Sequence, residues 1–168
     1  MTLAGSVYPE LLKNQILEHS LIQYRQADIA NIEKLNDFSL ELFSKQQESL
    51  GQFDHVIVCC ALDSQHLFPR FPHLTPVRGQ VSWAENENNP INLSVAYSYA
   101  GYCMQLDAKH LILGASFYPN RDDHEVLLED HVHNYELIHS AYPQYAKSLV
   151  PVEQWQGRAS VRAQSPDY

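Results

Sequence analysis

From Val77 onward the sequence repeats one device: a short apolar segment, a few turn residues, then another short apolar segment. "PVRGQVSWA", the polar run "ENENNP", "LSVAYSY", "GYCMQL" and "HLILGASF" follow one another closely. The gaps are too short for the helical crossover that parallel neighbours need, so these segments pair as antiparallel strands. Whatever else the chain does, it must be built round that sheet. The one long helix of the sequence is expected over residues 124 to 142, where Leu128, His131, Val132, Tyr135, Ile138 and Tyr142 recur at spacings of three and four and Pro143 ends the pattern. A last extended segment, "GRASVRAQ", closes the chain. Sheet, helix and final strand together predict an α+β fold with a mostly antiparallel or mixed sheet and flanking helices.

The first seventy-odd residues read differently. "PELLKNQILEH" places Leu11, Leu12, Gln15, Ile16 and His19 on one helical face behind an initial proline, which predicts an amphipathic helix. "LIQYRQADIANIEK" and "DFSLELFS", with Phe38, Leu40 and Leu42 alternating with polar neighbours, predict a hairpin or meander. In "FDHVIVCCAL" the residues Val56 to Cys60 are continuously apolar, the pattern of a strand covered on both faces in a parallel or mixed sheet. Prolines and turn residues crowd positions 69 to 76. The chain is read as one compact region in two stretches, residues 1–75 and 76–163.

Charge and cysteine usage narrow the function classes. Against 20 acidic residues stand 11 basic ones, a net charge of −9 that repels a phosphate backbone over most of the surface. Three cysteines lack the spacing of a disulfide frame or zinc site, and successive strand residues point to opposite faces, so Cys59 and Cys60 are expected as reduced core thiols of a cytoplasmic protein. No apolar run approaches membrane-spanning length. Glu125, Glu129 and His133 fall at helical spacing, but without an apolar shell or a further ligand they read as a solvated face, and no metal is expected. There is no G-x-G-x-x-G, P-loop or G-x-S-x-G, so any nucleotide cofactor needs other sequence to hold most of it.

The closing strand carries the candidate site. In an extended chain Arg158, Ser160, Arg162 and Gln164 share one face and Ala159, Val161 and Ala163 the other. Two guanidinium groups on one face are unfavourable unless an anion lies between them. They are either surface arginines paired with acidic neighbours or a carboxylate-binding site, and spacing leaves both readings open.

"AGSVYPELL", "FDHVIVCCAL", "PVRGQVSW", "AGYCMQL", "LILGASF" and "GRASVRAQSPDY" occur in an order and spacing that resembles the FAD-dependent amine oxidases of the D-amino-acid oxidase and glycine oxidase class. The chain is most similar to the oxidoreductase half of the bacterial bifunctional tRNA 5-methylaminomethyl-2-thiouridine biosynthesis enzymes. The resemblance implies that residues 1–75 border an FAD domain and that 76–163 form the substrate-binding part. It also implies that the dinucleotide-binding unit and the flavin-closing segment are absent, so that the chain is expected to be an excised middle portion, inactive alone, of a longer FAD enzyme.

The roles carried over by the resemblance fall on particular residues. Arg162 matches the substrate-carboxylate arginine, and Tyr102 falls where relatives place a tyrosine lining the substrate pocket, with a packing role as its alternative. Gly79 and Gln80 match a G-Q pair at the crossing between flavin and substrate domains. Gly114, Ala115 and Ser116 match a G-A-S strand. Ile29, Cys60 and Ala61 fall on segments bordering the flavin. Two positions depart from the pattern: Ala61 stands where the family has glycine, and Ser6 where an aromatic residue is usual. The implied reaction oxidatively removes the carboxymethyl group of carboxymethylaminomethyl-2-thiouridine at the tRNA wobble position, releasing glyoxylate. The implied partners are tRNA, the missing FAD segments and a methyltransferase domain, with self-association through uncovered surface. The alternatives are a small-molecule amino-acid or glycine oxidase, and a folded module without activity.

Overall fold

A computed structural model describes residues 9–68, 73–86, 93 and 95–166. The opening "AGSVY" with Ser6, Pro69 and Pro72, most of "ENENNP", and Asp167 and Tyr168 lie outside the described residues. The chain divides into two units, Thr75–Gln164 and the described part of Val7–Leu74.

In the first stretch, helix α1 (Pro9–Leu17) starts on its proline with Glu10 in the first turn, as expected, and none of its residues is buried. Strands β1 (Ile29–Asn36), β2 (Ser39–Ser44) and β3 (Ser49–Phe53) form an antiparallel meander in the order β1-β2-β3. The β1–β2 turn closes locally, because the Asn36 side-chain oxygen accepts the Phe38 amide at 2.8 Å and Lys34 reaches Asp37 at 2.7 Å. Ser44 shapes the next turn by accepting the Gln46 and Glu48 amides on its hydroxyl, both at 3.2 Å.

The expected doubly covered strand in "FDHVIVCCAL" does not form. β3 ends at Phe53, residues 55 to 60 have no strand pairing, Ile57 is 88% exposed, and Cys59 and Cys60 are exposed rather than core. An apolar run becomes a central strand only between two covering layers, and among the described residues this stretch has neither a strand partner nor a covering element. Instead it leads into a short 3-10 turn, Ala61–Asp63, and the single-turn helix α2 (Ser64–Leu67).

In Thr75–Gln164 the antiparallel expectation holds. Strand β4 (Thr75–Glu85) is central. β5 (Tyr97–Ser98), β6 (Tyr102–Gln105) and β7 (His110–Gly114) extend from one of its edges in the order β5-β6-β7-β4. β8 (Tyr118–Pro119) pairs with Val77 and Arg78, farther back on β4. β9 (Gln156–Gln164) pairs with β4 from Thr75↔Gln164 to Trp83↔Gln156. Among the described residues every pairing is antiparallel, and those of "LSVAYSY" contribute only the two residues of β5.

Helix α3 (Leu128–Ala141) starts four residues later than the periodicity predicts, and α4 (Pro143–Ala146) follows it directly. The core lies on one face of the sheet, where Ala84, Cys103, Leu111 and Leu113 meet Ile138 of α3 together with Ala146, Leu149, Val150 and Trp155. Cys103, unlike Cys59 and Cys60, is buried, and burial pushes its thiol up to about 12. The buried face of α3 is not the apolar stripe read from its spacing. Asp130, His131, Asn134 and Ile138 are buried, while Leu128 and Val132 are exposed.

Candidate functional site

Strand alternation gives β4 two unlike faces. Arg78, Gln80 and Ser82 point toward α3 and bind it through polar contacts. Arg78 is wholly buried: its Nη1 donates to Asp130 Oδ2 at 2.6 Å, its Nε lies 2.6 Å from Asp123 Oδ1, and its Nη2 donates to the Glu125 carbonyl. Arg121 holds the Asp123 carboxyl below its ordinary pKa by a hydrogen bond, with Arg78 adding to the effect. The Gln80 amide clamps the residue before α3, donating to the Leu127 carbonyl at 2.9 Å and accepting the Leu127 amide at 2.8 Å. Ser82 accepts from Asn134 Nδ2 at 2.9 Å and lies 2.8 Å from His131 Nδ1. Gln80 Nε2, which can only donate, lies 3.3 Å from the same nitrogen, and this makes Nδ1 an acceptor. Burial lowers the pKa of His131 and keeps the ring neutral, although the nearby Asp130 charge opposes this.

The other face is only partly covered: Val77 is buried, but Gly79, Val81 and Trp83 are half-buried. Val77, Gly79, Val81 and Trp83 of β4 stand opposite Arg162, Ser160, Arg158 and Gln156 of β9. Arg158, Ser160 and Arg162 are exposed and Ala159 is buried, as the alternation predicts. Neither Arg158 nor Arg162 has a carboxylate partner among the described residues, so of the two readings left open by spacing, the paired-surface reading loses its support. The Arg162 guanidinium lies instead over the Phe117 ring, 4.9 Å from its centroid. It lines a cavity of about 340 Å³ with Val77, Gly79, Val81, Ser116 and Phe117.

Gly79 is required where the chain crosses over this face. A Cβ there would lie 2.7 Å from the Ser116 carbonyl oxygen. Ser116 is fixed to β4 in turn, its amide donating to the Gln80 carbonyl at 3.2 Å and its hydroxyl accepting the Gln80 amide at 3.0 Å.

Tyr102 shares this face without lining that cavity. It pairs with Gly114 on β7, and its ring occupies the space a side chain on Gly114 would need, since a Cβ there would come within 2.7 Å of the phenol. Partial burial raises its pKa. The expected residues thus separate: Arg162 and Gly79 line one cavity, Tyr102 stands farther along the same face, and the Gln80 side chain is spent on the opposite side in holding α3.

Ile29 and Cys60 meet in the other unit, lining a cavity of about 640 Å³ with Asp28, Lys45, Asp63 and His66. Ala61 follows directly with φ +49°, the left-handed conformation that favours glycine. Glu125 lies ahead of α3 and is exposed, as is Glu129, which reaches Arg121 at 3.8 Å. Among the described residues no group of three or more His, Cys, Asp or Glu is placed to hold a metal. No described helix is long and apolar enough to cross a membrane.

Sequence reasoning gave no role to Phe117 or the Arg78 cluster, and it placed Ser116 only as part of a G-A-S strand. Arg78 sits inside a quoted motif, but its partners lie some fifty residues downstream.

No protein-family model matches the sequence. The tRNA 5-methylaminomethyl-2-thiouridine biosynthesis bifunctional protein of Acinetobacter baylyi is 55% identical over 165 residues, which cover 98% of this chain and 26% of that protein. The chain spans about a quarter of the length of the curated relatives it matches. Two solved structures share the fold. Glycine oxidase from Geobacillus kaustophilus superposes with a TM-score of 0.58 at 21% identity, over 83% of this chain and 37% of that one. Glycine oxidase from Bacillus cereus does so with a TM-score of 0.61 at 17% identity, over 84% and 39%.

Proposed function

The chain belongs with one segment of the tRNA 5-methylaminomethyl-2-thiouridine biosynthesis bifunctional proteins, to which 98% of its length aligns, and from that premise we propose that it forms the substrate-binding part of an FAD-dependent amine oxidoreductase. In this reading the substrate is carboxymethylaminomethyl-2-thiouridine at the wobble position of tRNA, and the product keeps the aminomethyl group. One observation carries the proposal. At the wall of a cavity Arg162 presents, over the Phe117 ring, a guanidinium without a carboxylate partner among the described residues. A planar fork held by an aromatic ring matches a carboxylate bidentately and loses little freedom on binding.

Each nearby group then has a task. Arg162 binds the carboxylate of the carboxymethyl arm and so fixes the position of the amine next to it. Phe117 orients the guanidinium. Gly79 lets the Ser116 carbonyl cross over β4, which shapes the cavity floor. Tyr102 borders the same face and packs on Gly114.

The FAD fit is partial. The cavity holding Ile29 and Cys60, with Ala61 beside it, suits one side of a nucleotide, but α2 spans a single turn and the sequence has no glycine-rich phosphate loop to cradle a pyrophosphate. Ile29, Cys60 and Ala61 are therefore assigned rim contacts, with the remaining contacts supplied by further sequence. When bound, the flavin supplies the two-electron oxidation.

Titrating the chain with carboxymethylaminomethyl-2-thiouridine and with aminomethyl-2-thiouridine tests the reading. Arg162→Met should weaken the first roughly tenfold or more, as expected for loss of a charge-assisted bond, and leave the second unchanged. Equal effects on both nucleosides would remove Arg162 from the carboxylate site. The glycine oxidase fold supports a second reading in which the same arginine holds a free amino acid. Glycine binding stronger than nucleoside binding would favour it.

A further inference from the structure

We infer that Arg158 is a second anion-binding residue on the same face, and that it takes a phosphate of the substrate RNA while Arg162 holds the carboxylate of the modified base. The inference rests on the substrate reading above.

The register places Arg158 on the partly covered face. It pairs with Val81, and Tyr102 pairs with Gly114. Val81 and Gly114 each lie one residue beyond the Ser82–Leu113 pair, so Tyr102, Val81 and Arg158 stand in one row across the sheet. Four residues of extended chain put Arg158 about 13 Å from Arg162, with only the small Ser160 between them on that face.

What the two arginines lack is informative. Arg78 and Arg121 are paired with aspartates, and Arg25 donates to the Leu50 carbonyl. Arg158 has no such partner among the described residues, in a chain where 20 acidic residues face only 11 basic ones. With carboxylates in excess, an exposed guanidinium that has no carboxylate partner among the described residues is positioned for an anion from outside the chain.

The spacing selects the kind of anion. A free amino acid carries its carboxylate next to its amine, so once Arg162 holds it nothing anionic remains to reach Arg158. A nucleotide whose base arm ends at Arg162 still has its phosphates on the far side of the sugar. A second guanidinium far along the strand therefore suits a substrate with two separated anions. It also offers a local cation to a polyanion that the net charge of −9 otherwise repels.

Three probes test this on the folded chain, with circular dichroism as a control. They are an anticodon stem-loop carrying carboxymethylaminomethyl-2-thiouridine, the free modified nucleoside without phosphate, and glycine. Arg158→Gln should weaken the stem-loop roughly tenfold and lower the salt dependence of its binding by about one ion. The nucleoside should bind as before. Arg158→Lys should restore the salt dependence, because it keeps the charge. An unchanged stem-loop affinity, or an equal loss for stem-loop and nucleoside, would overturn the assignment of Arg158. Arg162→Met should weaken stem-loop and nucleoside alike. If it weakens neither, or if wild type binds only glycine, the substrate reading itself fails, an outcome distinct from failure at Arg158.

Discussion

Arg78 carries its charge where water does not reach it, facing an equally buried Asp130. Removing one partner leaves the other ionised in a dry site, and the cost is dominated by that stranded charge. Arg78→Met should lower stability by about 3–5 kcal/mol, read from the midpoint of urea unfolding, and the double replacement Arg78→Met with Asp130→Leu should recover much of the loss. A double variant as unstable as the single one would mean that the pair itself supplies the stability. Arg78 also marks a limit of reading the sequence. Alternation in "PVRGQVSW" puts Arg78, Gln80 and Ser82 on one face, and a polar face ordinarily turns to solvent. Here it turns inward, because Asp130, His131 and Asn134 complement it from a helix some fifty residues away. Alternation identifies the faces of a strand but not the element that covers each one. The exposure of Arg162 was legible for the converse reason: its face is defined by the alternation of its own strand.

At the scale of elements, α3 is held to the sheet by directed polar bonds as much as by apolar contact, which is why its apolar periodicity misjudged both its start and its buried face. His131 makes this seam sensitive to acid. Burial keeps its folded pKa below the ordinary value of about 6.5, so on acidification the unfolded chain takes up a proton that the folded chain resists. Its contribution is fully present above pH 6.5 and falls as the pH drops from there toward the folded value. Asp107 and Asp123 are held below the ordinary carboxylate range, Asp107 chiefly by the Lys109 amide and Asp123 by Arg121, and their contributions fall only at lower pH. Urea midpoints should therefore decline between about pH 7 and 5, and His131→Gln should flatten that decline while lowering the plateau. A variant that keeps the wild-type slope would assign the titration to another group. The run at residues 54 to 60 failed in the opposite way to α3. Its composition was that of a central strand, but composition does not supply the neighbours that such a strand requires.

On the scale of the whole molecule, burial is uneven. The apolar core cluster lies within Thr75–Gln164, whereas the first stretch buries Leu42 and Leu74 and exposes Leu11, Leu12, Ile16, Leu21, Phe38 and Ile57. Local opening is easiest where few apolar contacts must be broken. Native-state hydrogen exchange should accordingly show the amides of β1 to β3 exchanging faster than those of β4 and β7. Equal protection in both sets would show that the first stretch draws stability from something other than its own core. β4 is the strand on which the larger unit depends, because β7 and β8 share one of its edges and β9 takes the other. Its polar side chains are committed to α3, and Gly79 leaves no room for a larger residue beneath Ser116. On β9, by contrast, alternate side chains already face water. Anyone wishing to redesign this surface would do best to leave β4 alone and vary positions 158, 160 and 162, where new chemistry can be introduced without disturbing the joint between helix and sheet.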